Sequence, residues 1–563
     1  MCCRSPLGFR VVLCLNAALA VTLSGGCDPP PRPPVAGETN DALVKELDAI
    51  SAPPPEAVRG GDAAVAGAAA EQNDLPADEA ANNAAGGPQP VGPQAGQRTP
   101  WEAWDAYYMA GEHIGYSHVR AESQPGGGTV LHMHDRMTLR RGEETLVNQV
   151  THRCVQDARG RLQSFEAETH SGADVTRVEG TRSEGELRME RIRGDERSTD
   201  TIAWKEHYWG LLGVQQSLRQ QPLAVGQRRR IEALLPVQYR IGRYDLRATA
   251  EVAVPMLGGQ SQRLTEIHSR LQLAGGAELE SYLWIDSQGH TLKAYTPAMD
   301  LTAYRTDQAT ATATASPTKD VLDIGTIPLT GRVPLASPEK ASQVTFRLTM
   351  AAGAAVPRLE PAAGQRLQPA EDQQSLLITV RAGLDRNAPL PPVEDSDTAA
   401  GPVIDHQDPR LARMVQALEA GPERSPREKV LQATGFVHQY IRRKDLSQGF
   451  ATASQVAREG QGDCTEHAVL LAAILRRMEI PTRLVAGLTY VTRDGQAVMM
   501  YHMWNVARVD EGWLPVDATL GGLAPASRIA LVTTNLASGN EYECLDPIFS
   551  VIGRIELEIV SAQ

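Results

Sequence analysis

The sequence predicts an α+β protein with a large antiparallel β-sheet domain first and a domain of helices and strands last. Two observations support this fold class. Apolar and polar residues alternate along much of residues 100–308, with glycine in the turns, which is typical of antiparallel strands. After residue 403, apolar residues recur every three or four positions in several segments, which indicates amphipathic helices.

The region 100–308 is expected to form one curved antiparallel sheet. Strand patterns cover Val130–Leu139 and Leu264–Leu273, a hairpin covers Tyr282–Tyr295, and a short helix is predicted near Tyr208–Gln220. Glycines in Gln124–Gly128 and Ser287–Gly289 mark turns. Such a sheet either holds an apolar ligand on its concave face or packs its own core and positions the domain that follows.

Residues 319–400 predict a small β-sandwich-like module. Two strand patterns, Val344–Met350 and Leu376–Val380, occur among many prolines. The Thr/Ala-rich segment Ala309–Pro317 and the segment Asn387–Pro402 are predicted linkers. The final domain, residues 403–563, begins with two predicted helices at Pro409–Glu419 and Pro426–Arg443.

The N-terminus predicts export and lipid anchoring. Residues 1–26 combine two arginines with the apolar run Val11–Leu23, which is short for a membrane span and typical of a signal peptide. Small residues before Cys27 resemble a bacterial lipobox, so Cys27 is the predicted lipidation site; an ordinary cleaved signal is the alternative. Residues 27–99 contain no aromatic residue and predict a disordered Pro/Ala/Gly-rich tether. We therefore expect an exported, membrane-anchored lipoprotein of the cell envelope.

Charge and cysteine content narrow the function further. The 563-residue chain has a net charge of −13, which argues against a nucleic-acid partner. Besides Cys27, the exported chain keeps Cys154, Cys464 and Cys544. If Cys464 is catalytic, one disulfide is possible, between Cys154 and Cys544, and the sequence leaves open whether these two meet.

Cys464 is the candidate nucleophile. It follows the turn and N-cap signal Gly462–Asp463 and starts a predicted helix that ends before Ile480–Pro481. Unpaired N–H groups and the helix dipole at this position favour a thiolate and offer oxyanion donors. The charge of Asp463 partly opposes thiolate formation. By itself, the pattern also fits a buried structural cysteine.

His502 and Asp517 complete a candidate triad. Strands are predicted at Met499–Val509 and Gly512–Ala518, with a turn at Asp510–Glu511. This turn places residue 517 opposite residue 504, so that Asp517 lies diagonal to His502, about 7–8 Å away between backbones. An aspartate there can fix the imidazole tautomer, and the imidazole can then act on the thiol as base and acid.

Residues 408–522 resemble the transglutaminase-like, papain-like thiol core domain. The matching motifs are the G-D-C-T-E-H-A helix start, R-x-x-I-P-T-R at Arg477–Arg483, H-x-W-N at His502–Asn505 and W-x-P-V-D-A-T at Trp513–Thr519. The resemblance implies that Cys464 is the nucleophile, His502 the general base and acid, and Asp517 its orienting partner. Ala518 replaces a proline found in many relatives.

The expected function is a thiol enzyme acting on amide bonds of a peptide or protein substrate, either a peptidase or amidase or an acyl transferase. It requires no metal or organic cofactor. The alternative is a non-catalytic binding lipoprotein that retains the fold and uses its long β region to hold a ligand or partner. The second oxyanion donor is open, with Gln461 and Ser447–Phe450 as candidates.

Overall fold

The structure, a computed structural model, describes residues 101–563 except 143, 172–173, 194–195, 274–277, 321–324, 351–358, 360–361, 373, 385–391, 443–450, 538–543, 545–550 and 552. The predicted signal, Cys27 and the tether lie outside the described residues. Within the described part, no helix has both the length and the apolar character needed to cross a membrane.

Over the described part of residues 101–306, fourteen strands form one antiparallel sheet, which confirms the predicted large antiparallel sheet. The strands are β1 (Trp101–Met109), β2 (Glu112–Ser123), β3 (Thr129–Arg141), β4 (Glu144–Gln156), β5 (Leu162–Ser171), β6 (Asp174–Ser183), β7 (Glu186–Arg193), β8 (Glu196–Ala203), β9 (Arg228–Leu234), β10 (Ile241–Pro255), β11 (Ser261–Gln272), β12 (Glu278–Ile285), β13 (Thr291–Thr296) and β14 (Leu301–Thr306).

The chain enters this sheet in the middle, at β1, and leaves it beside β1, at β14. The two edge strands, β8 and β9, are consecutive in sequence and are joined by a segment that contains helix α1 (Gly213–Gln220). This segment contacts both halves of the sheet, because Gln216 exchanges side-chain hydrogen bonds with Gln156 of β4 while α1 packs on β9. Tyr239, in the connection between β9 and β10, also stacks on Phe165 of β5 at 5.1 Å between ring centroids, which is another contact between the two halves. The sheet is therefore curved around this segment.

The second sheet contains ten strands in the described part of the chain. They are β15 (Ile327–Gly331), β16 (Gln343–Met350), β17 (Gln365–Pro369), β18 (Ser375–Arg381), β19 (Thr482–Arg493), β20 (Gln496–Val509), β21 (Gly512–Asp517), β22 (Gly522–Leu523), β23 (Arg528–Thr534) and β24 (Ile555–Ala562). The main order is β17-β18-β16-β24-β15-β20-β19-β23, and β21 pairs with β20 and β22.

The strands predicted for the small sandwich-like module lie in this second sheet. β16 and β18 pair with each other as the local pattern suggests, but β16 also pairs with β24, which lies close to the C-terminus. β15 joins β24 on one side and β20 on the other. Pairing with strands so distant in sequence has no local signature, so the sequence pattern alone suggested a module with its own sheet.

The helices of the C-terminal region surround one buried helix. They are α3 (Pro409–Glu419), α4 (Pro426–Tyr440), α5 (Ala453–Glu459) and α6 (Cys464–Arg477); a short helix α2 (Gln308–Ala311) lies in the predicted Thr/Ala linker, and 3₁₀ turns occur at Pro297–Met299, Pro338–Lys340 and Asp395–Asp397. Every residue of α6 from Cys464 to Arg476 is buried. The helix packs on β19 and β20 and contacts α3, α4 and α5, so it is the central element of this region.

Candidate active site

Cys464 is the first residue of α6, as the sequence predicts. Asp463 is the N-cap, and its side chain accepts a hydrogen bond of 2.8 Å from the backbone N–H of Thr465. Glu466 completes a capping box, because its Oε2 accepts from the Asp463 N–H at 2.9 Å. Two carboxyl groups therefore satisfy the orphan N–H groups around the thiol-bearing residue.

Gly462 is required by this tight arrangement. Its φ of +144° lies in a region that favours glycine, and a Cβ at this position would lie 2.3 Å from Cβ of Glu466. A glycine two positions before the cysteine therefore lets the buried Glu466 side chain fold back over the helix start.

Burial controls the protonation of the residues on the first turn. Burial raises the pKa of Glu466 well above its ordinary value, and repulsion from Asp463 acts in the same direction. Burial lowers the pKa of His467 to about 4, against the opposing effects of its bond to the Asp463 carbonyl and of the Asp517 charge. His467 is therefore neutral near pH 7, and Glu466 binds its proton more tightly than an exposed glutamate does.

His502 and Asp517 are in direct contact. The Nε2 atom of His502 lies 2.8 Å from Oδ2 of Asp517, and both side chains are fully buried. β20 and β21 pair with Asn505 opposite Val516, and one step further along the same register Asp517 faces Trp504. This is the register that the predicted turn at Asp510–Glu511 produces.

Asp517 has two further partners that sequence reasoning missed. Thr519 donates its backbone N–H to Oδ1 of Asp517 at 2.7 Å. The guanidinium of Arg528, at the start of β23, forms an ion pair with Oδ2 and also lies over the Trp504 ring, 5.4 Å from its centroid. Burial alone would raise the pKa of Asp517, but Arg528 and His502 together hold it well below its ordinary value. Asp517 is therefore an anion across the physiological pH range.

The start of α6 adjoins the strands that carry this pair. Burial raises the pKa of the Tyr501 hydroxyl well above its ordinary value, and the nearby Cys464, Asp463 and Glu466 raise it further. The charge of Asp517 in turn raises the pKa of His467, in the first helical turn, against the effect of burial. The structure thus brings His502 and Asp517 together by a hydrogen bond and places Cys464 at the start of the helix that packs on the strand of His502.

Asn505 and Gly487 hold this arrangement. Asn505 donates from Nδ2 to the carbonyl of Ala468 at 3.0 Å, which ties β20 to α6. Gly487 lies opposite His502 in β19, and a Cβ there would come within 2.1 Å of the Ile529 carbonyl oxygen. The motif H-x-W-N marked Asn505, whereas no local pattern marked Gly487 or Arg528.

A residue of the first sheet also reaches the helix start. Arg141, the last residue of β3, forms a 3.0 Å ion pair with Asp463 in which both side chains are essentially inaccessible to solvent. The two residues are 322 positions apart in sequence, so no local motif predicts the contact.

The other candidate positions have simpler roles or lie outside the described residues. Cys154, Cys464 and Cys544 are buried and none of the three forms a disulfide, so the possible Cys154–Cys544 bridge is not formed. Gln461 donates its side-chain amide to Glu459 at 3.0 Å, and the other oxyanion candidates, Ser447–Phe450, are not described. No cluster of three or more His, Cys, Asp or Glu suited to a metal ion occurs among the described residues.

With this geometry established, the similarity to known proteins can be stated. Residues 413–518 match the transglutaminase-like superfamily, so the C-terminal region contains a transglutaminase-like domain. No curated protein matches the sequence.

Three solved structures show weak similarity. A β-barrel-like protein of the DUF1849 domain of unknown function from Brucella abortus is 11% identical, with 38% of this chain and 96% of that chain covered and a TM-score of 0.30. A candidate cysteine protease from Cytophaga hutchinsonii is 13% identical, with 39% and 89% covered and a TM-score of 0.24. A DUF1089 family protein from Pseudomonas aeruginosa is 14% identical, with 36% and 93% covered and a TM-score of 0.16. Likenesses of this strength carry no inference about function.

Proposed function

We propose that this protein is a cysteine-dependent enzyme that acts on amide bonds of peptides or proteins, with Cys464 as nucleophile, His502 as general base and acid, and Asp517 as the residue that orients His502. The observation that carries the proposal is the buried 2.8 Å contact between His502 Nε2 and Asp517 Oδ2. It occurs in a transglutaminase-like domain whose central helix begins at a cysteine.

The chemistry follows from the tautomer that Asp517 selects. An anionic carboxylate accepts a hydrogen from Nε2, which leaves the lone pair of the neutral imidazole on Nδ1. In the proposed reaction, Nδ1 takes the proton of the Cys464 thiol, and the thiolate attacks the carbonyl carbon of the amide. The resulting imidazolium is stabilised by Asp517, because Arg528 and His502 keep this carboxyl group ionised.

The remaining steps release the two products in turn. The tetrahedral intermediate collapses as the imidazolium gives its proton to the departing amine, and a thioester with Cys464 remains. His502 then removes a proton from water, giving hydrolysis, or from an amine, giving acyl transfer. In both cases the Cys464 sulfur leaves and recovers its proton from the imidazolium.

The packing of α6 supports access of the thiol to His502. The helix that begins at Cys464 packs on β20, the strand that carries His502. Asn505 of the same strand donates to the carbonyl of Ala468, in the first two turns of that helix, at 3.0 Å.

We also propose, from the N-terminal sequence alone, that the enzyme is exported and anchored in the cell envelope through Cys27. Its substrate would then be a peptide or protein outside the cytoplasm. The test is to isolate the protein from membranes and identify its N-terminal residue by mass spectrometry. We expect a lipid-modified Cys27, and we expect Cys27→Ala to lose its association with the membrane.

The catalytic proposal is tested first by alkylation of Cys464 as a function of pH. The expected result is that Cys464 in the folded protein reacts faster at neutral pH than a free cysteine, and that His502→Ala removes this advantage. A Cys464→Ser variant shows which adduct belongs to Cys464. A thiol that reacts no faster than free cysteine and is indifferent to His502→Ala would contradict catalysis.

A second experiment separates the two possible reactions. The protein is incubated with a glutamine-containing peptide and a labelled primary amine. Incorporation of the amine identifies an acyl transferase, and cleavage of the peptide identifies a peptidase. If neither product is detected and Cys464 is also unreactive, the alternative of a binding protein that retains the fold is favoured.

A further inference from the structure

The tip of the β3–β4 hairpin, made by Arg140, Arg141 and Gly142, is inserted into the transglutaminase-like region. The guanidinium Nη2 of Arg141 lies 3.0 Å from Oδ2 of Asp463, the residue just before Cys464. The side chains of Arg141 and Asp463 are 0% and 1% exposed. A charged pair so fully removed from water is costly to form, so it marks a specific contact between the two regions.

A second contact fixes the same hairpin tip. The backbone N–H of Gly142 donates to Oδ2 of Asp320 at 3.0 Å. The same carboxylate oxygen accepts from Nη2 of Arg493, at the end of β19, at 2.9 Å. The hairpin is therefore held at two points, and the position of Arg141 is fixed by backbone as well as by side-chain bonds.

The charges that face Arg141 are those of the helix start. Burial lowers the pKa of the Arg141 guanidinium, and Asp463, Cys464, Glu466 and Asp320 oppose this effect in that order. Asp463 is the anion of the helix start that pairs directly with Arg141, because its Oδ2 accepts from the guanidinium. Without a cation, that anion would disfavour a second negative charge on the adjacent thiol.

We propose that Arg141 is a positioning residue for the thiol reaction: the β-sheet domain supplies this cation to neutralise Asp463 and favour the Cys464 thiolate. The inference rests on the proposed function of Cys464. It gives the large sheet a direct part in the chemistry, since the hairpin that carries Arg141 belongs to that sheet and not to the transglutaminase-like domain.

The test measures the rate of Cys464 alkylation by iodoacetamide across pH in the full folded chain, read by mass spectrometry of the Cys464 peptide. In Arg141→Met, the midpoint of the profile moves to higher pH and the rate at pH 7 falls by about tenfold, which corresponds to the loss of one nearby opposite charge. Arg141→Lys restores most of the rate because it keeps the charge. Arg305→Met, which breaks the Arg305–Asp105 pair of the same sheet without touching Asp463, leaves the profile unchanged.

A second pair of variants removes the risk that Arg141→Met fails to fold with an unpaired Asp463. Asp463→Asn keeps an N-cap side chain and removes the anion. Its alkylation midpoint is expected below that of the wild type, because Arg141 then acts on the thiol alone. In Asp463→Asn with Arg141→Met the midpoint rises again by about one pH unit, and this difference measures the effect of the cation on a neutral cap.

Two results would overturn the inference. Equal profiles for Asp463→Asn with and without Arg141→Met would mean that the cation does not act on the thiol, although His502 dependence in the wild type would leave the proposed function intact. An Arg141→Lys variant as slow as Arg141→Met would assign Arg141 a packing role. A wild-type Cys464 that behaves as a free cysteine would remove both the inference and the proposed function.

Discussion

The two sheets of the molecule are connected in opposite ways. In the described part of the first sheet, every ladder joins strands that are neighbours in sequence, except the ladder between β1 and β14. In the second sheet, β24 lies between β15 and β16. β15 pairs with β20, although most of the transglutaminase-like domain lies between these two strands in the sequence. Local pairing leaves its pattern in the sequence, whereas distant pairing depends on the whole chain.

The two regions also differ in how they use buried charge. In the first sheet, Asp105 pairs with Arg305 of the neighbouring strand, and Tyr107 donates to Asp135, which lies two strands away in the same sheet. In the second region, buried charges gather around Asp463 and Asp517, each joined by an arginine from elsewhere in the chain. Both arrangements satisfy buried polar groups, but the second places them next to a thiol and an imidazole.

The largest expected contrast is between the buried thiols of the two regions. Burial raises the pKa of Cys154 in β4 to about 12, so its thiolate fraction at pH 8 is about 10⁻⁴. In the folded chain, we expect the alkylation rate of Cys464 to exceed that of Cys154 by a factor on the order of 10³ or more, so that Cys154 stays unlabelled while Cys464 reacts. Peptide-resolved mass spectrometry measures both sites at once.

Two controls accompany this measurement. Cys154→Ala should keep the fast labelling, and Cys464→Ala should abolish it. Fast labelling that survives Cys464→Ala would show that the reactive thiol is elsewhere.

Asp517 and Asp397 provide the next contrast. Both are buried aspartates paired with an arginine, and Asp397 binds Arg483 through two bonds of 2.7 and 2.8 Å. Asp517→Asn should lower kcat/KM on the order of 10³-fold, because the imidazole loses its anionic partner. Asp397→Asn should destabilise the fold by about 3–5 kcal/mol and leave the rate per folded molecule unchanged. Equal losses of activity would reduce Asp517 to a structural role.

Two buried histidines, one in each region, allow the acid sensitivity of the two regions to be compared. Burial lowers the pKa of His152 in β4 to about 3 and that of His467 in α6 to about 4, both from 6.5. Between its folded pKa and 6.5, each histidine binds the proton only in the unfolded chain. Its contribution to the free energy of unfolding is therefore complete above pH 6.5 and falls as the pH drops towards the folded pKa. At about 1.4 kcal/mol per pH unit, the free energy of unfolding falls by roughly 5 kcal/mol through His152 and by roughly 3 kcal/mol through His467.

Substitution separates the two contributions. His152→Phe and His467→Asn should each flatten the free energy of unfolding between pH 6.5 and 4, as measured by urea titrations. Below pH 4, only the wild type and His467→Asn should continue to lose stability through His152. A pKa near 6.5 for either histidine by NMR titration would refute its assignment as neutral.

The same contrast explains what the sequence could predict. The alternation and turns of residues 101–306 predicted the antiparallel sheet. The apolar spacing after Asp463 predicted the start of α6, and the turn at Asp510–Glu511 predicted the strand register that joins His502 to Asp517. The pairing of β16 with β24, and the contacts of Arg141 with Asp463 and of Arg528 with Asp517, follow from tertiary packing between distant segments. An arginine in a strand has no spacing that identifies its buried partner, so these contacts required the structure.

The smallest expected effects come from one hydrogen bond in each region. Asn505 donates to the Ala468 carbonyl at 3.0 Å, and Tyr107 donates to Asp135 at 2.7 Å. Asn505→Leu and Tyr107→Phe should each destabilise the protein by about 1–3 kcal/mol in urea titrations. Only Asn505→Leu should also lower kcat/KM, by about tenfold, because it loosens the strand of His502 from the helix of Cys464. An equal fall in Tyr107→Phe would mean that the first sheet controls the geometry of the site more widely than through Arg141.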